Sequence, residues 1–409
     1  MMQIDKNRLW SDLQAMGDVG ATPTGGVRRV ALTVEDKAGR ELFEQWCREG
    51  KYAVRVDTMG NIFARREGSD PSAAPVMTGS HLDSQPVAGK YDGPFGVLAG
   101  LEVLRTLDRN GVTTRRPIDV VVWTNEEGAR FQPPSIAAAV VAGSMELAAA
   151  YDARDSEGVR LEDALRAIGY VGSIDAVRPS VHSYVEAHIE QGPVLEQAGI
   201  SIGVVQGVVG VHAYKVELIG RAAHTGTTPI PHRKDALLGA AHIIEGVRQL
   251  ALRNEPHGRA SVASIQVSPN ARSVVADKVV LTADCRHTDD ARLEDMRAEL
   301  LELFQRAAGD EGLQVSVHNY WSVAPTRFSP MCIDAVQRAA QEMGYSHDAI
   351  YSGAGHDAVP LSRLAPTAMI FIPCKDGVSH HEAESITPQQ AAEGANVLLH
   401  TLIELGNSP

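Results

Sequence analysis

Apolar residues along this chain recur at two spacings, and the alternation between the spacings is the first guide to its architecture. Residues 5–17 (DKNRLWSDLQAMG) and 35–50 (EDKAGRELFEQWCREG) carry apolar positions three and four apart, which predicts two helices. Residues 54–68 (VRVDTMGNIFARREG) predict a hairpin about Met59-Gly60-Asn61. Short apolar runs then alternate with helical periodicity: PVMTGSHLD, GPFGVLAGLEVLRTLDRNG and PIDVVVWTNEE. This β-α-β order predicts a mainly parallel sheet covered by helices, an α/β fold. Ligands of such sheets gather beyond the carboxyl ends of the strands. Residues 140–180 are Ala-rich and predict helix, and YVEAHIE predicts another strand.

From His212 the pattern changes to strand, helix, strand, strand, helix, strand. That is the ferredoxin-like α+β order, and it is complete over 212–324. Gly207–Gly210 and Ala324-Pro325-Thr326 bound it. The expectation is one domain built from 1–211 and 325–409, interrupted by an inserted domain at 212–324. After the insertion come the helix PMCIDAVQRAAQEMG, the polar loop SGAGHDA, the buried strand PTAMIFIPC and a terminal helix capped by Thr387.

Composition narrows the class. At 409 residues, two domains are expected. The net charge of −13, without Lys/Arg clusters, argues against nucleic acid or an anionic membrane as partner. The polar start MMQIDKNRLW lacks the apolar stretch of a secretory leader, and no apolar run is long enough for a membrane span. The four cysteines form no CxxC pair, so free thiols in a reducing cytoplasm are expected.

The chemistry lies in short polar windows punctuated by Gly: His81 and Asp83 in TGSHLDSQP, Asp92 in GKYDGPFG, Glu126-Glu127 in WTNEEGARF, His188 in EAHIEQGP and His380 in DGVSHHEAE. His, Asp and Glu without thiolate form the donor set of a hydrolytic metal centre. Five such ligands are too many for one open catalytic metal and suit two divalent ions sharing a carboxylate. Each residue has a plainer reading. His81 could be a satisfied strand-end histidine, Asp92 an N-cap for the helix that follows, and Glu126-Glu127 a solvated acidic loop. Residues two apart on a strand share a face, so Asp83 is expected to accept from the His81 imidazole and orient it. Adjacent Glu126 and Glu127 point in opposite directions, so one is expected to ligate while the other moves protons. In the inserted segment, His224, Asn270 and Arg286 could hold a carboxylate and polarise a carbonyl, or be two turn residues and a surface ion pair.

Taken in order, TGSHLDSQPVAGKYDGPFGVLAG, VVWTNEEGARF, EAHIEQGPVLE, AAHTGTTPIPHRKDA, DCRHTD, SGAGHDA and MIFIPCKDGVSHHEAE resemble the M20 metallopeptidase-related amidohydrolases. The resemblance is to the hydantoinase/carbamoylase branch, which holds N-carbamoyl-L-amino-acid hydrolases, β-ureidopropionase and allantoate amidohydrolase. It implies a zinc-exopeptidase-like catalytic domain and hydrolysis of the ureido C–N bond of an N-carbamoyl amino acid to the amino acid, CO2 and ammonia, with allantoate or β-ureidopropionate, small ureido substrates that also carry a carboxylate, as alternatives. A dipeptidase on the same scaffold is the further alternative. It implies two divalent metals, zinc first, with Mn, Co or Ni as alternatives. His81 and His188 would hold one, Glu127 and His380 the other, and Asp92 would bridge them. Glu126 matches the general acid/base and Asp83 the residue that orients His81. His224 matches a residue that stabilises the oxyanion from across a homodimer. Asn270 and Arg286 match the carboxylate holders, while Gln191, Gly353 and Gly355 match pocket positions. The inserted domain would serve as lid and dimerisation domain. The chain departs from the pattern at QPPSIAAAVVAGS, where relatives show a Met-Gly-Ser-type stretch, and at His381, where they often carry Asn. The motif's Gly-Val-Ser favours His380 over His381 as ligand.

Overall fold

The computed structural model describes residues 1–408. The chain divides into two compact units: Met1–Gly207 with Arg327–Pro409, and Val208–Thr326.

The first unit is built on a mixed sheet. Its strands run in the spatial order Ala53–Val56, Ile62–Arg66, Ile118–Trp123, Val76–His81, Ser183–Ile189, Thr367–Ile372 and Ile202–Val208. The four strands from Ile118–Trp123 to Thr367–Ile372 are mutually parallel. They are buried at every residue, polar ones such as Thr78, Ser80, Asp119 and Glu186 included, so neither face of these strands is solvated. The flanking strands Ile62–Arg66 and Ile202–Val208 are antiparallel to their neighbours. The predicted hairpin is present, with Val56 opposite Ile62.

Helices cover this sheet. Helix Pro94–Arg109 is buried on nearly all sides. The terminal helix Pro388–Asn407 starts at a capping box in which Thr387 and Gln390 exchange hydrogen bonds. Helix Lys6–Asp18 is capped by Asp5, whose carboxylate accepts from the N–H groups of Asn7 and Arg8. Residues 140–180 do not form one long helix. Three short ones occupy Ile136–Val141, Leu147–Tyr151 and Leu161–Ile168, because the glycines at 143, 158 and 169 take left-handed backbone between and after them.

The second unit is a four-stranded antiparallel sheet in the order Gln314–Val323, Gly210–Ile219, Lys278–His287, Gly258–Ser268. Helices Ala236–Arg253 and Asp290–Asp310 pack on it around Val216, Leu218, Ile243, Leu281, Leu300 and Phe304. This strand order, with these two helices, is ferredoxin-like. No helix among the described residues is long and apolar enough to cross a membrane.

Candidate metal centre

Parallel pairing brings the carboxyl ends of three strands together. His81 closes its strand opposite Trp123, whose own strand runs out into Glu126 and Glu127. His188 lies one strand over, paired with Phe371. Asp92 comes from the loop that enters helix Pro94–Arg109. It does not cap that helix: the N-cap is Gly93, at φ 85°, and no side chain caps there. A Cβ on Gly93 would stand 2.5–2.6 Å from three atoms of the His81 ring, so only glycine lets the turn pass beneath that imidazole.

Among the described residues, three groups of ligand-type atoms overlap here: Glu186, His188 and His356 form one that leaves Asp92 out, and the other two share Asp92. Of those two, His81, Asp92 and His188 form one, and all three are buried; Asp92, Glu127 and His380 form the other. Asp92 belongs to both. Its Oδ1 stands 3.7 Å from His81 Nε2 and 3.2 Å from His188 Nε2. Its Oδ2 stands 3.3 Å from His380 Nε2, which is also 3.3 Å from Glu127 Oε2. His381 faces elsewhere, its Nδ1 accepting from the Ala383 N–H.

The imidazoles are held in the tautomer a metal requires. His81 Nδ1 is 2.8 Å from the Asp83 carbonyl, and His188 Nδ1 is 2.9 Å from the Ile189 carbonyl. Each Nδ1–H donates to a backbone oxygen and turns the Nε2 lone pair toward Asp92. His188 Nε2 is buried without a hydrogen-bond partner. A buried nitrogen without a hydrogen-bond partner, aimed at a shared carboxylate, belongs to a cation-binding donor set, and the residues fit a bound metal.

Asp83 acts differently from the sequence expectation. The strand stops at His81, so the same-face rule does not extend to residue 83. Its carbonyl, not its carboxylate, holds the imidazole. The carboxylate accepts from the N–H groups of Glu126 and Glu127 at 3.2 and 3.3 Å, fixing the backbone of both acids. The two glutamates then diverge. Glu127 faces His380 and receives the Gln85 amide at 2.8 Å; Glu126 faces His81, with Oε2 3.6 Å from Nε2.

Electrostatics concentrate negative potential here. Burial pushes the Glu126 carboxyl up to about 8 and Glu127 to about 7; for Glu126 the charges of Glu127, Asp83 and Asp92 add to the rise, and His81 opposes it. His380 rises to about 9 through its hydrogen bond to Asp92. Burial works against the charged form of His81, yet Glu126, Asp92 and Asp83 outweigh it and hold its pKa well above the ordinary value. Burial also opposes the charge of Asp92, yet hydrogen bonds from His188, His380 and His81 hold its carboxyl well below the ordinary value.

Several contributors escaped the sequence reading. Glu384 Oε1 accepts from the N–H groups of Tyr91 and Asp92. Ser379 donates to Asp92 Oδ2 at 2.8 Å. Both neighbour His380 in DGVSHHEAE, and their proximity to a candidate ligand was the available signal. Gln191, expected to line the pocket, has its amide Nε2 on Asp92 Oδ2 at 2.7 Å and its Oε1 buried without a partner. Gly353 and Gly355 lie in the bend after strand His347–Ser352, where a Cβ would meet nothing within 4 Å.

The remaining candidates belong to the second unit. His224 is exposed, its Nδ1 accepting from the N–H groups of Gly226 and Thr227, which leaves Nε2 outermost. Asn270 is exposed at φ 51° after Pro269. Arg286 is half-buried in the strand Lys278–His287, 3.4 Å from Asp284.

The profile of peptidase family M20/M25/M40 matches residues 77–404. The chain belongs to that family. It is 43% identical over 402 residues to the N-carbamoyl-L-amino-acid amidohydrolase of Rhizobium meliloti, covering 98% of this chain and 97% of that one. It is 32% identical to a ureidoglycolate hydrolase of Arabidopsis thaliana, covering 99% and 87%. Among solved structures it superposes on a hydantoinase/carbamoylase-family amidase from Burkholderia multivorans with a TM-score of 0.98 at 46% identity, covering 100% and 99%. The M20 chain thus sits with the hydantoinase/carbamoylase amidases, hydrolases of non-peptide C–N bonds, and the family is metal-dependent.

Proposed function

We propose that this M20 chain hydrolyses the ureido C–N bond of an N-carbamoyl-L-amino acid. Water is consumed, and the products are the amino acid, CO2 and ammonia. The observation that carries this reading is Asp92 shared between two ligand groups, with the uncommitted acid Glu126 beside them. The relatives named above supply the substrate class.

Two divalent ions, zinc first, would be held by His81, His188, Asp92, Glu127 and His380, and when bound would supply Lewis acidity to the ureido carbonyl and the attacking water. Glu126 takes a proton from that water at Oε2 and returns it to the leaving nitrogen. Asp83 fixes the backbone of both glutamates. Arg286 and Asn270 hold the substrate carboxylate, and the outermost nitrogen of His224 donates to the developing oxyanion. In this reading segment 212–324 is the lid and dimerisation domain, and His224 acts across a homodimer. Exposed Leu237, Ile244, Ile265, Tyr320 and Trp321 on that unit support an interface between copies. Four buried free thiols support a cytoplasmic setting.

A second reading, a ureidoglycolate, allantoate or β-ureidopropionate amidohydrolase, draws on the Arabidopsis relative and uses the same groups. The test is metal analysis followed by ammonia release from N-carbamoyl-L-amino acids, N-carbamoyl-β-alanine, allantoate, ureidoglycolate and dipeptides. N-carbamoyl-L-amino acids should turn over fastest; activity on dipeptides alone would sink the proposal. Glu126→Gln should abolish turnover and keep the metal.

A further inference from the structure

Glu126 leads into a loop that closes on itself. Asn125, at φ 57°, ties both ends of its amide to the backbone of Phe131, donating to the carbonyl at 2.8 Å and accepting from the N–H at 3.3 Å. Gln132 donates to the Gly128 carbonyl at 2.6 Å. The loop ends at Ser135, whose N–H donates to the Glu126 carbonyl at 2.8 Å and whose hydroxyl donates to Glu126 Oε1 at 3.2 Å. Among the described residues this hydroxyl makes the one side-chain hydrogen bond to the Glu126 carboxyl. It leaves Oε2 on the side of His81.

Ser135 is buried and sits in left-handed backbone, φ 50° and ψ 31°. Glycine would take that conformation without strain and keep the backbone hydrogen bond. It would lack the β-carbon and, with it, the hydroxyl that reaches Glu126. Strain retained where a smaller residue would relieve it points to a use for the side chain.

We propose that Ser135 is a positioning residue for hydrolysis: its hydroxyl occupies Oε1 of Glu126 and thereby commits Oε2 to carrying the proton. The proposal rests on the reading of Glu126 as the general base. A carboxylate tethered at one oxygen cannot rotate about its terminal bond to present the other, so the proton-carrying atom meets the water in one orientation. Ser135 touches no reacting atom, so its loss should slow turnover and leave substrate binding alone.

The test compares Ser135→Gly and Ser135→Ala with the parent and with Glu126→Gln, all metal-loaded, on the best substrate of the panel. Ser135→Gly relieves the backbone and should fold at least as well as the parent. Its kcat should fall about 10- to 100-fold, the scale of one hydrogen bond to a charged group. KM should stay within about twofold and metal content should be unchanged, as expected when an interaction used only in the transition state is removed. Ser135→Ala should match it in kcat and be less stable. Unchanged kcat in Ser135→Gly, or a fall accompanied by an equal rise in KM or by loss of metal, overturns the proposal. Should Glu126→Gln keep parental turnover, the reading of Glu126 fails instead, whatever Ser135 does.

Discussion

Glu384 holds the backbone of Asp92. Its Oε1 accepts from the Asp92 N–H at 3.1 Å and from the adjacent Tyr91 N–H at 2.9 Å, while Ser379 spans from its Oε2 to the Asp92 carboxylate. A candidate bridging ligand is thus fixed from behind by an acid that does not itself belong to either ligand group. Partners of this kind are worth about 10- to 100-fold in metal affinity. Glu384→Ala should therefore lose metal at chelator concentrations the parent withstands. Metal per chain after dialysis against graded chelator reads this directly, and equal retention would contradict the role.

Gly93 makes a sharper prediction. A methyl group there would overlap the His81 ring, and φ 85° with ψ −57° lies outside the backbone regions open to an L-residue. Gly93→Ala should bind less metal and melt earlier, whereas Gly111→Ala, also at positive φ but in open space, should only melt earlier.

Arg40 tests the link between core and site. It is fully buried, donating to Asp36 at 3.0 Å, to the Gly60 carbonyl at 2.7 Å and to the Thr124 hydroxyl at 3.2 Å, two residues before Glu126. Arg40→Met would strand the Asp36 carboxylate in the interior, a loss of about 3–5 kcal/mol. Urea denaturation should show it as a lower midpoint with an unchanged slope.

Asp57 predicts a pH dependence remote from the metal ligands. Burial drives its carboxyl from 3.8 to about 6, against the hydrogen bonds donated by Asn61 and Met59. The folded state holds the proton more tightly than the unfolded one, so this contribution to stability is complete below about pH 4 and is lost as pH rises through 6. Two units correspond to about 3 kcal/mol. The stability of the parent relative to Asp57→Asn should therefore fall by about that amount between pH 4 and pH 7. A difference that stays flat or grows would refute the shift.

The parallel core is legible because its strands are short, rich in apolar residues and separated by polar, Gly-punctuated loops. His81, Glu126-Glu127 and His188 are legible for that reason: each stands at or just past the carboxyl end of such a strand. The arrangement behind them was less visible. The same-face rule puts the Asp83 carboxylate on the His81 imidazole only if the strand continues past residue 81, and it stops there. Glu384, Ser379 and Ser135 act through hydrogen bonds to backbone or carboxylate, and their placement depends on loop dihedrals that no periodicity encodes. His224, Asn270 and Arg286 stood out through resemblance rather than local pattern, since a turn histidine and a strand arginine look alike whether or not they meet a ligand.

The first and last long strands of the second unit, Gly210–Ile219 and Gln314–Val323, lie side by side, with Val211 opposite Val323. Where the polypeptide departs toward that sheet is therefore also where it comes back. A segment that leaves and returns at one point behaves as a cassette: removing it and bridging the gap with a short turn would require no rethreading of the remaining strands.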